Sequence, residues 1–132
     1  MILPNGAHVA VVDGEKLVLF ENIGHTDIQL KAKPTPEIED RVAGAPGRNS
    51  SAANPDNDTQ AEDGFAMGVA DVLNHMVLTH RIEKLLVIAA PKTLGQLRKG
   101  WHKETEASLV GEIAKDLAGH TTDQIATAIQ NA

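Results

Sequence analysis

The chain has 132 residues, of which 42% are hydrophobic, so it suits one domain with a single core and is not a wholly disordered chain. It contains no cysteine, which excludes disulfides and thiolate metal sites. The formal net charge is −6 and aromatic residues make up only 2%, which argues against a broad basic face for nucleic acid and against aromatic platforms for base stacking.

The first residues have no basic lead, and their apolar stretch is too short for a signal peptide. No run of residues approaches the roughly 18 apolar positions that a membrane-spanning helix needs. We therefore predict a cytoplasmic protein that makes no contact with a membrane. No cofactor motif is found, and no cofactor is expected.

The chain should begin with a three-stranded antiparallel meander. Residues 8–13 and 16–23 are rich in β-branched side chains and are separated by Asp13-Gly14, which is a strong hairpin signal. Residues 28–33 alternate apolar and polar side chains, which predicts a third strand with one face in water.

Residues 41–60 are small and polar and show no apolar period. A connection of this length inside a compact domain is either functional or disordered. The composition favours a flexible surface loop within a single domain of residues 1–132. The alternative is an arm that carries Arg41 and Arg48 to a ligand.

A helix is predicted next, starting at the capping box of Thr59 and Glu62 and running to about His80. Its apolar residues recur at helical spacing, which predicts a helix that packs flat on the sheet. The predicted stripe is Phe65, Val69, Val72, Leu73, Met76 and His80.

After Lys84, residues 85–90 form a long apolar run that is apolar on both faces, which is typical of a central strand covered on both sides. Pro91 closes the run. Thr93 and Gln96 match a second capping box, so a helix should begin there. Its predicted stripe is Leu94, Leu97 and Trp101.

The last part of the chain is ambiguous between strand and helix at residues 109–117. Leu109, Ile113 and Leu117 fit either one helical face or every second inward position of a strand, and the pattern slightly favours a helix. A third capping box, at Thr121 and Gln124, predicts a final helix.

Four short segments carry a recognisable pattern, and they are Val9–Gly14, Phe65–Ala66, Leu86–Arg98 and Val110–Leu117. With these segments the chain resembles the bacterial host attachment protein family. The third segment contains the most specific block, PKTLGQLRK. The resemblance covers most of the chain apart from the loop of residues 41–60.

That family is similar to the middle domain of archaeal and eukaryotic peptide-chain release factors, which has an RNase H-like α/β fold. The resemblance implies a single α/β domain with a mixed sheet of about five strands, the meander first. It also implies that residues 109–116 form a strand. Release factors use a Gly-Gly-Gln tip for peptide release, and this sequence contains no Gly-Gly-Gln, so that activity does not carry over.

The junction between the central strand and the following helix is the first candidate site. In open α/β sheets, ligands bind beyond the carboxyl ends of strands, where a helix N-terminus offers free N–H groups. Lys92 and Arg98 could share an anion there. Thr93 would cap the helix and offer a hydroxyl, and Gly95 would let a partner come close. The alternative is a well-packed helix with two solvated cations.

Asp13, Asp71 and Asp116 are the carboxylates available for a metal-dependent, RNase H-like nuclease. Each has a simpler explanation, namely a hairpin turn for Asp13, the solvent face for Asp71 and an ion pair for Asp116. The six histidines are scattered, with no metal-binding spacing. We therefore expect no metal site and assign no catalytic residue.

The function predicted first is a non-enzymatic accessory module that binds a ribosome, an RNA or a protein partner through Lys92, Thr93, Gly95 and Arg98, with Arg41 and Arg48. Two alternatives stay open. One is a role in attachment to host cells, and the other is the metal-dependent nuclease. The oligomeric state is not predicted.

Overall fold

The computed structural model describes residues 1–38 and 57–132, and within the second range it describes side chains from Asp63 onward. These residues form five strands and four helices. In chain order they are β1 (His8–Val12), β2 (Leu17–Asn22), β3 (Leu30–Lys33), α1 (Asn57–Leu78), β4 (Leu85–Ala89), α2 (Pro91–Arg98), α3 (Lys103–Ser108), β5 (Leu109–Ala114) and α4 (Thr122–Gln130).

The strands form one open mixed sheet in the order β3-β2-β1-β4-β5. The pairs β3–β2 and β2–β1 are antiparallel, as the predicted meander requires. The pairs β1–β4 and β4–β5 are parallel, with a helical crossover in each connection. The predicted single α/β domain with a mixed five-stranded sheet is confirmed.

The sheet has a separate hydrophobic core on each side, and we call the two sides the α1 face and the α4 face. Successive side chains of a strand point to opposite faces. In β1, Ala10 therefore packs under α1 and α2, whereas Val9 packs under α4. All residues of β4 are fully buried, which confirms the prediction of a central strand covered on both sides.

The first hairpin closes through Asp13. Its Oδ1 accepts hydrogen bonds from the backbone N–H groups of Glu15 (2.6 Å) and Lys16 (2.5 Å). A short acidic side chain that binds backbone N–H groups two and three residues ahead stabilises a tight turn. The carboxylate is thus occupied in the turn, as predicted from Asp13-Gly14.

α1 differs from its prediction at both ends. It begins at Asn57, so residues 57–60 are helical and Thr59 lies inside the helix rather than at its N-cap. The rest of the predicted loop, with Arg41 and Arg48, lies outside the described residues. At the other end the helix stops at Leu78, and His80 is exposed instead of lying on the apolar stripe.

The reason for the early stop is a Schellman motif. The His80 N–H donates to the Val77 carbonyl and the Arg81 N–H donates to the Met76 carbonyl. His80 adopts a left-handed conformation with φ of 64°, which turns the chain out of the helix. Ile82 then becomes the next buried residue.

Of the two remaining capping boxes, one is confirmed and one is wrong. At α4, Thr121 and Gln124 exchange both side chain–backbone hydrogen bonds of a capping box. At α2, Pro91 occupies the first turn and the N-cap residue Ala90 makes no side-chain bond. Proline suits the first helical position, so α2 starts two residues before Thr93. Trp101 lies beyond the end of α2 and packs half-buried against the α1-face core.

β5 confirms the strand that the family resemblance implies and shows that the slight preference for a helix was wrong. Its pairing with β4 is irregular, so Leu109 and Ile113 do not share one face as both interpretations of the pattern assumed. Leu109 pairs with Leu85, but Gly111 pairs with Leu86. The extra residue shifts the alternation of the side chains that follow it to the other face. Leu109 therefore contacts the α1-face core, whereas Ile113 contacts the α4-face core.

Within the described part of the chain, no helix is both long and apolar enough to cross a membrane.

Candidate functional site

The predicted junction between β4 and α2 exists. Ala90 is the N-cap, Pro91 is the first helical residue, and the Leu94 N–H donates to the Ala90 carbonyl at 2.9 Å. Lys92 is exposed and Thr93 is half-buried. Because Thr93 is the third residue of α2, its hydroxyl is not the helix cap.

Arg98 is not part of the same site as Lys92. Six residues on an α-helix place the two side chains about 9 Å apart along the axis and about 120° apart around it. The Arg98 guanidinium binds Glu112 on β5 instead, with Nη2–Oε1 at 3.0 Å and Nε–Oε1 at 3.2 Å. The two cations therefore do not converge on one small anion.

The structure places a different pair of cations together on α2. Lys92, Gly95 and Lys99 follow one another at i, i+3 and i+7, so they share one side of the helix. Both lysines are exposed, and a Cβ added at Gly95 would meet no atom within 4 Å. We call these three residues the lysine stripe. The Cα atoms of its two lysines are separated by about 10 Å along the axis, with Gly95 between them.

The three candidate aspartates lie on different elements. Asp13 is engaged in the first turn, Asp71 is exposed on α1, and Asp116 is exposed after β5. Asp116 makes no ion pair within the part of the chain that the structure describes. Across the same residues, no group of three or more His, Asp and Glu side chains could hold a metal ion.

A cleft of about 620 Å³ opens at the other end of the sheet, on the α1 face. Its floor is formed by the first residue of β1 and by the ends of β2 and β3, beyond the point where α1 stops. We call it the His8 cleft. It is lined by His8, Leu19, Glu21, Lys33, Pro34, Thr35, Pro36, Met76 and Arg81.

His8 has an unusual environment in this cleft. Its ring atom Nδ1 is buried and makes no well-aligned hydrogen bond with any residue that the structure describes. Burial lowers the pKa of His8 below its ordinary value, and the Lys33 ammonium adds to this shift. The nearby Glu21 carboxylate and a backbone interaction with Gly6 oppose it. With a lowered pKa, the imidazole is neutral at pH 7.

The charged groups of the cleft come from separate elements. Glu21 lies directly opposite His8 in the β1–β2 pair, and its carboxylate is 3.4 Å from Lys33 Nζ on β3. Arg81 stands exposed at the rim, just after the end of α1. Lys33, Arg81 and Glu21 together give the cleft a net charge of +1 around a neutral imidazole.

Sequence reasoning missed this cleft because no motif joins its residues. A weak signal was present in β1, where His8 has the same parity as Ala10 and Val12 and so faces the α1 side. Nothing in the sequence pattern indicates that α1, which packs on the same face of the sheet, stops before it covers His8.

Comparison with known proteins agrees with the resemblance to release factors. No curated protein matches the sequence. A sequence model of the bacterial archaeo-eukaryotic release factor family 12 matches residues 6–129. This match includes all five strands and, apart from the last residue of α4, all four helices that the structure describes. The chain therefore belongs to the bacterial archaeo-eukaryotic release factor family 12.

Proposed function

We propose that this chain is a cytoplasmic, non-enzymatic binding module that contacts RNA, on the ribosome or in a ribosome-associated complex, without triggering peptide release. The observation that carries the proposal is the family match over residues 6–129, because release factors act on the ribosome. The sequence contains no Gly-Gly-Gln, and peptide release is therefore left out. The meander-first mixed sheet supports an RNase H-like relationship for the fold.

The lysine stripe is the surface that we assign to RNA. The backbone N–H groups of Lys92 and Thr93 lie in the first turn of α2, where the helix dipole favours phosphate. Lys92 and Lys99 add two exposed ammonium groups, and Gly95 leaves the backbone between them open. In a protein of net charge −6, such a contact must be local.

A local contact predicts a weak dependence on salt. Each neutralised phosphate of a single strand contributes about −0.7 to the slope of log affinity against log salt concentration, so two lysines give a slope of about −1.4. Arg98 is held by Glu112 and should add little.

The experiment is co-sedimentation of the protein with ribosomes from native extract, at low and high salt, with and without RNase treatment. We expect Lys92→Glu with Lys99→Glu to move the protein to the unbound fraction. Lys31→Glu with Lys84→Glu is the matched control, because these exposed lysines lie at the opposite end of the sheet. Wild-type protein that stays unbound at every salt concentration would contradict the proposal.

A role in attachment to host cells stays a prediction of the family resemblance. Surface labelling of intact cells tests it directly, because a protein confined to the cytosol cannot be labelled.

A further inference from the structure

We propose that the His8 cleft binds a small organic anion with an apolar body, one carboxylate or phosphate group and one hydroxyl or N–H donor. This site is separate from the lysine stripe. The stripe follows the carboxyl end of β4, whereas the cleft lies at the amino ends of β1 and β4, where the His8 N–H donates to the Lys84 carbonyl.

The first argument is space of the right size and lining. A volume of about 620 Å³ falls within the usual range for small-molecule sites. Leu19 on the floor, Met76 on one wall, and Pro34 and Pro36 on the other give apolar contact. These surfaces suit a flat or branched apolar body, and the prolines hold their wall stiffly.

The second argument is the unpartnered Nδ1 of His8. A buried polar atom without a hydrogen bond is uncommon in folded proteins and costs free energy. A neutral imidazole has one acceptor nitrogen and one donor nitrogen. The Nδ1 nitrogen has no exposed surface in the free chain, so a ligand hydroxyl or N–H supplies a partner only when the imidazole turns toward the cleft.

The third argument is the distribution of charge. Lys33 is already paired with Glu21, whereas the Arg81 guanidinium makes no ion pair with any residue that the structure describes. Arginine binds carboxylate and phosphate through two parallel hydrogen bonds. Arg81 therefore marks the position of the anionic group at the rim, with the ligand's donor pointing down to His8.

The site does not suit a metal ion. The cleft offers one carboxylate and one imidazole next to two cations, and in the described residues no set of three metal-binding side chains is present. Lysine and arginine beside the site would repel a divalent cation.

The test is a titration of the ¹⁵N-labelled protein followed by amide chemical shifts. The probes are 4-hydroxyphenylacetate and adenosine 5′-monophosphate, which supply the carboxylate and the phosphate versions of the ligand. Two matched probes each lack one feature, namely phenylacetate without the hydroxyl and 4-hydroxyphenylethanol without the anion. Inorganic phosphate alone reports binding by charge without an apolar body.

We expect saturable shifts at His8, Leu19, Thr35 and Arg81 with one of the two complete probes at millimolar concentration. The probe without the anion should bind about tenfold more weakly, as should the complete probe with Arg81→Gln. His8→Gln should weaken binding of the hydroxylated probe more than that of phenylacetate. Lys115→Gln, which removes an exposed cation outside the cleft, should bind like the wild type.

No saturable shift at the cleft with either complete probe would overturn the proposal, and so would equal affinity for wild type and Arg81→Gln. Equal shifts with inorganic phosphate would overturn the apolar part of the assignment. Arg81 is exposed, so the fold should tolerate its replacement. Arg81→Lys, which keeps the charge but loses the paired donors, is the second variant and should show intermediate affinity.

Discussion

The Thr105 hydroxyl donates to Asn74 Oδ1 at 2.6 Å, which joins α3 to α1 across 31 residues of sequence. The same Oδ1 accepts from the His102 N–H, and Asn74 Nδ2 donates to the Gly100 carbonyl at 2.8 Å. One amide thus holds the connection between α2 and α3 against α1. Asn74 lies outside the predicted apolar stripe of α1, yet it is half-buried here.

Replacing Asn74 by alanine should lower the free energy of unfolding by about 2–3 kcal/mol, because three groups lose their partner at once and two of these hydrogen bonds are partly buried. Urea unfolding followed by circular dichroism measures the change. His75→Ala, one residue along on the exposed side of α1, is the control and should change stability by less than about 0.5 kcal/mol. Equal effects of the two substitutions would show that the amide does not hold this connection.

Replacing a large side chain by alanine should lower stability strongly in the central strand, β4. Ile88 is fully buried in β4 and contributes to the α4-face core. Ile88→Ala should cost about 2–5 kcal/mol, since the cavity adds to the lost hydrophobic transfer energy. Val110→Ala on β5 should cost far less, because Val110 is 38% exposed. Chemical denaturation of both variants measures the two losses of stability. A larger loss for Val110→Ala than for Ile88→Ala would contradict the prediction.

His8 should make stability depend on pH in a defined window. Its pKa is lower in the folded chain than in the unfolded chain, mainly because of burial. Below pH ~6.5 the unfolded chain therefore binds a proton that the folded chain resists, and the free energy of unfolding falls as the pH falls until the folded-state pKa is passed. Above that window both states carry neutral imidazole, and the contribution is constant.

Urea unfolding of wild type and His8→Gln at several pH values measures this effect. In His8→Gln, the free energy of unfolding should fall less at acidic pH than in the wild type. In His120→Gln, which removes an exposed imidazole near α4, it should fall as in the wild type. Glu21, Lys33 and Arg81 face the same cleft, and all three are retained in every variant. Identical profiles for wild type and His8→Gln would contradict the prediction.

The ion pair between Arg98 and Glu112 should contribute modestly to stability and nothing to RNA binding. The Arg98 side chain is 58% exposed, and exposed pairs contribute up to about 1 kcal/mol. Arg98→Gln should therefore lower stability by less than about 1 kcal/mol, as measured by thermal unfolding. In the ribosome assay it should sediment like the wild type, unlike Lys92→Glu with Lys99→Glu. Loss of sedimentation with Arg98→Gln alone would return Arg98 to the binding surface.

The two threonines of the capping-box patterns should differ. Thr121→Ala removes a real N-cap bond and should cost about 1 kcal/mol. Thr93→Ala removes no cap, since Pro91 begins α2, and should cost clearly less. Thermal unfolding of the two single variants compares them directly. A larger loss from Thr93→Ala would mean that its half-buried side chain has a role that the cap geometry does not show.

Local chemistry was enough to determine much of this fold. The turn at Asp13, the buried run of β4 and the capping box at Thr121 each depend on neighbouring residues, so the sequence predicted them from spacing alone. Where two local rules competed, the prediction failed. Pro91 and Thr93 both signal a helix start, and proline at the first position prevailed because it loses no hydrogen bond there. At β5, a spacing of four residues fits a helix and a strand equally, and pairing with β4 decided for the strand.

The two proposed binding surfaces depend on tertiary structure. Lys92 is exposed near a helix start, but the cation on its side of the helix is Lys99, because Arg98 binds Glu112 on β5. The His8 cleft joins residues from β1, β2, β3 and the end of α1. Their proximity depends on strand register and on where α1 stops, and both arise from long-range packing. Sequence spacing carries no record of such distances, so the residues of the cleft could be read only from the folded chain.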